Sequence, residues 1–219
     1  MANNPIVNMF RVKEIRSRIF FTLIVLAVFR LGSVLTIPGI NPEALTTYFR
    51  SATGASNSFV DYMDFFAGGA FSNFSVFMLG VMPYISTQII LQLALIIFPG
   101  LKRIAQEDGG QKKIQSWTRI GTVFVCLIQS LAVTVYASSI PGAVVISSDF
   151  LFKVIAMISV TTGTMVTIWL GEQITARGIG NGISMLIFAG IVARLPSAVW
   201  ELGRMVSEDM SKLVSVIVV

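Results

Sequence analysis

VDYMDFFAGGAFSNFSVFMLGVMPYISTQIILQLALIIF, residues 60–98, is a nearly unbroken apolar block interrupted in its middle by Gly68, Gly69, Gly80 and Pro83. A helix rises about 1.5 Å per residue, so ~20 residues suffice to cross a ~30 Å hydrocarbon core. The block is too long for one span and must hold two pieces. Backbone left unpaired at such a break is tolerated at membrane depth only where it is buried in protein or lines a water-filled cavity. A half-inserted segment followed by a full span therefore points to a pore or a substrate path.

The rest of the chain fits a membrane setting. Of 219 residues, 54% are hydrophobic and 12% charged, and the mean hydropathy is +0.80; ordinary soluble domains carry about 25% charge. This composition is that of an integral membrane protein, all-α, a polytopic bundle of transmembrane helices. Spans are expected at residues 19–37, about 75–97, 118–138, 150–170 and 181–195 or beyond, making a five-span unit over 19–212. A further apolar run over 213–219 meets the end of the chain. So short a run cannot complete a span, which leaves a fragment or a fold completed by another chain.

The net charge of +5 comes from short clusters between apolar runs, the pattern of orientation signals rather than of a nucleic-acid face. Arg11, Lys13, Arg16 and Arg18 precede the first span, and Lys102, Arg103, Lys112 and Lys113 fall between the second and third, with Arg119 beside them. These clusters put the N-terminal segment, 1–18, and that connection in the cytoplasm. With no His and one Cys, Cys126 inside a span, metal cages, disulfides and Cys/His catalysis are excluded within this chain. No metal and no cofactor are expected. No Gly-rich Lys-Ser/Thr phosphate loop is present either, so the energy source is expected outside the chain, and with no catalytic groups evident to face each other in the membrane, an enzyme is not expected.

Inside the block, Phe59, Val60, Met63 and Phe66 fall at helical spacing with Asp61 and Asp64 on another face, a short amphipathic helix. Ala67, Gly68, Gly69 and Ala70 behind it allow a hinge or close packing. A static re-entrant segment and a movable one both fit this pattern. In the crossing helix, Val81, Ile85, Gln88 and Gln92 share one stripe at steps of four, three and four. Amides in a span face protein or water because lipid cannot satisfy them, so the stripe marks either ordinary interhelical bonding or a functional polar seam. After the fourth span, Gly178, Gly180 and Gly182 permit tight turns, Glu172 and Arg177 are placed to pair across the loop, and Asn181 to cap the next helix.

WLGEQIT (169–175), RGIGNGIS (177–184) and IFAGI (187–191) closely resemble the SecY family, the channel subunits of the bacterial Sec translocase. FRLGS (29–33), IPGI (37–40), GGA (68–70) and GVMPYIS (80–86) also look like that family's motifs, in its order. The resemblance covers essentially the whole chain and corresponds to the N-terminal half of the family's ten-helix fold. It implies two inverted halves around an hourglass pore, in keeping with the repeats and broken helices of transporters. Residues 59–74 match the plug, with Phe59, Val60, Met63, Phe66, Gly68 and Gly69 carrying it. The pore ring maps onto Val81, Ile85 and Ile187, one of these being Val where some relatives have Ile. The second and third spans match one wall of the lateral gate, with Ser86, Gln88 and Gln92 at the seam.

The function implied is a passive conduit in the bacterial inner membrane that passes unfolded secretory polypeptides and releases membrane helices sideways. Its partners would be SecE-type and SecG-type subunits, the SecA ATPase, the ribosome, signal sequences and nascent polypeptides, membrane lipid and the C-terminal half of the channel. Lys102, Arg103, Lys112, Lys113 and Arg177 would face the cytoplasmic partners. Half of a small-solute secondary transporter is the alternative from another class. Against it, the span interiors lack His, Asp or Glu for ion coupling, and Arg30, the main deep charge, is expected to bond helix ends or lipid headgroups.

Overall fold

The computed structural model describes residues 12–41, 43–45, 47, 64, 67–146 and 148–208. Phe59, Val60, Met63 and Phe66 lie outside the described residues, as does the apolar run over 213–219. Among the described residues the long helices are, in order, α1 Lys13–Gly32, α2 Met82–Ile97, α3 Pro99–Gln106, α4 Gly110–Ser138, α5 Asp149–Arg177 and α6 Gly182–Glu208. Two of them, α4 and α5, are each 29 residues and apolar enough to cross a membrane alone. The bent pair α2 and α3 makes a third candidate if it counts as one span, and the apolar part of α6, Gly182–Pro196, is shorter. Helix α4 packs on α5 and α2, α5 on α6 and α1, and α1 on α6.

The α4 face turned inward carries Thr118, Thr122, Cys126, Ser130 and Thr134, one residue per turn and all buried. The hydroxyls of Thr118, Thr122 and Thr134 donate to the carbonyls of Ile114, Thr118 and Ser130 at 2.9, 2.7 and 2.6 Å. Each is satisfied within its own helix and leaves a small, closed surface. Helix α5, which packs on α4, buries Thr164 and Thr167. Small residues let two helices approach where lipid provides no hydrophobic drive.

Three boundaries differ from the sequence expectation. Helix α1 stops at Gly32 and does not continue to 37, because the residues after it pair with 74–76 in extended backbone instead of continuing the helix. The following strand-like stretch is paired on both sides: Ile37 N–H donates to Phe74 at 3.0 Å, Val76 N–H to Leu35 at 2.8 Å, Asn41 N–H to Ala143 at 2.9 Å, and Val145 N–H to Gly39 at 3.0 Å.

Helix α2 begins at Met82 and not near 75, with Pro83 in its first turn, where no N–H is needed. Residues 67–80 instead form successive tight turns, with Ala70, Phe74 and Gly80 N–H donating to Ala67, Phe71 and Phe77 at 3.3, 3.0 and 2.9 Å. The later part of the expected plug helix is therefore a chain of turns. Finally, the connection expected between the second and third spans is largely helical. Helix α3 leaves α2 at 105°, with the bend at Phe98, whose backbone is extended at φ −103° and ψ 105°. Proline disfavours helical backbone in the residue before it, here Pro99 acting on Phe98.

The turns and the paired stretch bury Ile37, Ile40, Phe71, Phe74 and Met78 against Ala137, Ile140, Phe152, Ala156 and Val160. The break is thus covered by protein, as backbone at membrane depth requires. It also rests directly on α5, since a Cβ at Gly163 would lie 2.0 Å from the Val76 carbonyl oxygen.

Candidate functional site

Ile85 of α2 and Ile187 of α6 line two cavities at once. The first, about 700 Å³, is walled by Tyr84, Gln88, Gln115, Arg119, Glu172, Gln173, Asn181 and Ser184. The second, about 480 Å³, is walled by Ala67, Phe71, Met78, Leu79, Val81, Ser86, Gln129 and Val133. On α4 the polar cavity takes residues 115 and 119 and the apolar one 129–133, so the two succeed each other along the bundle axis. The isoleucines stand where they meet.

Val81, at the start of α2, is buried with Phe77 and Leu186, and Ile85 and Ile187 pack half-buried against the same cluster. All three ring positions from the sequence thus border one cavity. The amide stripe divides. Ser86 borders the apolar cavity and Gln88 the polar one, while Gln92 is exposed and borders neither. Gln129 of α4 joins Ser86 on the apolar wall. Sequence reading passed over it, although an amide within an apolar span was the same signal that singled out Gln92.

In the polar cavity, Arg119 Nε and Nη2 donate to Glu172 Oε1 and Oε2 at 2.9 and 2.7 Å. This bidentate fork replaces the expected Glu172–Arg177 pair. Arg177 is five residues further along the same helix, off the three- and four-residue spacings at which helical side chains meet, and it lies exposed at the last position of α5. Asn181 caps α6 as expected, its Oδ1 accepting from Ile183 and Ser184 N–H at 3.0 and 3.4 Å. Lys102, Arg103, Lys112 and Lys113 are exposed on α3 and the first turn of α4.

Beside the apolar cavity, Asp64, expected on a different face from the apolar residues, is buried. Its Oδ2 accepts from Arg194 Nη2, and its Oδ1 accepts the Ser72 N–H at 2.8 Å. Arg30, expected at helix ends or headgroups, donates from Nη1 to the Gly68 carbonyl at 2.6 Å. Gly68 and Gly69 have φ of 64° and 92°, a region costly for other residues. A Cβ at Gly68 would lie 2.9 Å from the Gly190 backbone. Among the described residues no group of His, Cys, Asp or Glu is placed to hold a metal ion.

The SecY family model matches residues 75–219. The protein translocase subunit SecY of Borreliella burgdorferi is 45% identical over 212 residues, covering 97% of this chain and 48% of that protein. The chain therefore spans about half the length of that relative. The fold is similar to Sec61 in the canine ribosome–channel complex from the endoplasmic reticulum, with a TM-score of 0.54, 20% identity, and 87% of this chain and 41% of that one covered. It is also similar to a SecY protein whose plug domain stabilises the closed state of the translocation channel and maintains a membrane seal, with a TM-score of 0.51, 20% identity, and coverage of 86% and 40%. By the span of the family match and the length of the identity, this multi-pass chain belongs to the SecY family.

Proposed function

We propose that the chain forms one half of a gated, passive conduit for unfolded polypeptides, its five spans completed by the partner half of the channel. The observation that carries this reading is the meeting of a polar and an apolar cavity at Ile85 and Ile187. Branched apolar side chains at a constriction close around an extended peptide and resist wetting by ions. Val81 extends the same surface toward Ala67 and Phe71, which belong to the segment matching the plug.

Charge supports the orientation. Arg18 Nη1 donates to the Gly178 carbonyl at 3.4 Å, which brings the start of α1 to the end of the bundle that holds Arg177 and the polar cavity. Lys112, Lys113 and Arg119 sit at that end too, on the first turns of α4. In our reading this basic end faces the cytoplasm and meets the SecA ATPase or the ribosome, the latter being the partner of the canine Sec61 channel. SecE-type and SecG-type subunits complete the assembly. Helices α2 and α4 form one wall of the side exit to lipid, with Ser86, Gln88, Gln92 and Gln129 along it.

Site-specific crosslinking to a stalled secretory chain, with the complete channel assembled, tests this. Adducts from Ile85 are expected in the pore and from Gln92 at the side exit. An assembly that translocates without adducts at either position would return α2 to a structural role.

A further inference from the structure

Two arginines from different helices converge on one short segment. Arg30, in the last turn of α1, bonds the Gly68 carbonyl at 2.6 Å. Arg194 of α6 bonds Asp64 and lies against Gly69, its Nη2 3.3 Å from where a Cβ would stand. Asp64 in turn closes the segment on itself, its carbonyl accepting Gly69 N–H at 3.0 Å and its carboxylate accepting Ser72 N–H at 2.8 Å. The Asp64 side chain is 7% exposed and that of Arg194 32%.

We propose that Arg30 and Arg194 form a two-point latch that holds Asp64 and the turns over 67–72 in the closed channel, and that opening requires the Asp64–Arg194 pair to part. The proposal rests on the reading of this segment as the plug. Its physical basis is asymmetry. A carboxylate that is nearly buried is tolerable only while its partner stays. Moving the segment out of the bundle leads Asp64 toward water and removes that constraint, so the pair stabilises the seated position specifically. Arg30 adds a charge-assisted bond to a main-chain carbonyl that also exists only when the segment is seated. The glycines let the chain lie close enough to α6 for both contacts, Gly68 being packed on Gly190. Arg30 and Arg194 are thus positioning residues for the gate.

The test uses the complete channel reconstituted in proteoliposomes at equal protein loading, with resting ion leak and export of a preprotein with a defective signal sequence as readouts. Arg194→Gln is expected to raise resting leak by about tenfold, the population shift from losing one charge-assisted contact, and to admit the defective preprotein. Asp64→Asn combined with Arg194→Gln should leak less than Arg194→Gln alone, because no buried charge is left unpaired. Arg30→Gln should add to either. Leak in Arg194→Gln at the wild-type level, or a double variant as leaky as or leakier than that single one, overturns the latch. Deletion of 64–72 separates the two levels: raised leak in the deletion with silent point variants sinks the latch alone, and unchanged leak in the deletion sinks the plug reading with it.

Discussion

At position 163 a single methyl group would collide with the carbonyl of Val76, its carbon only 2.0 Å from that oxygen. Gly163→Val should therefore push the break off α5 and destabilise the protein by about 1–3 kcal/mol, as overpacking does, read as a lowered midpoint in thermal unfolding of the detergent-solubilised channel. An unchanged midpoint would mean that the contact relaxes freely. Ile187→Asn tests the constriction. An amide there would wet the junction of the two cavities, and single-channel recording should show a raised resting conductance. Glu172→Gln should do little, since its pair with Arg119 has side chains 21% and 47% exposed, and such pairs contribute about 0–1 kcal/mol. A large fall in stability would show that the pair is shielded from water in the complete assembly.

At the scale of elements, helix ends were legible where chemistry punctuates the chain. Residue 138 ends α4 just before Pro141 and Gly142, and Asn181 caps α6 as its side chain suggested. The end of α1 and the start of α2 were not legible, because residues 33–37 and 75–81 are mostly apolar, a composition that suits either conformation. The stretch after α1 is held by pairing with 74–76, and the adjoining 39–41 by pairing with 143–145. The bend at Phe98 gives a further prediction. Pro99→Leu removes the restriction on Phe98 and should let α2 run straighter into α3. Cysteines placed at Lys102 and Arg103 should then change their labelling by a water-soluble maleimide, and identical labelling would show that the 105° turn is fixed by packing instead.

For the molecule as a whole, the direction of solute flux separates a conduit from a pump. A reconstituted complete channel should pass ions only down their gradient once the 64–72 segment is removed. Accumulation of a small solute against a gradient would instead favour the secondary-transporter reading.

Membrane class, the broken block and the family could all be read along the chain, because apolar periodicity and long motifs act locally and need no knowledge of partners. The pairing of Asp64 with Arg194, of Arg30 with Gly68 and of Arg119 with Glu172, and the place of Gln129 beside Ser86, came only with the packed bundle. In each, groups separated by 38 to 130 residues, or carried on different helices, meet where desolvation leaves a polar group to find whatever partner the packing delivers. Spacing along one chain does not encode which neighbour that will be.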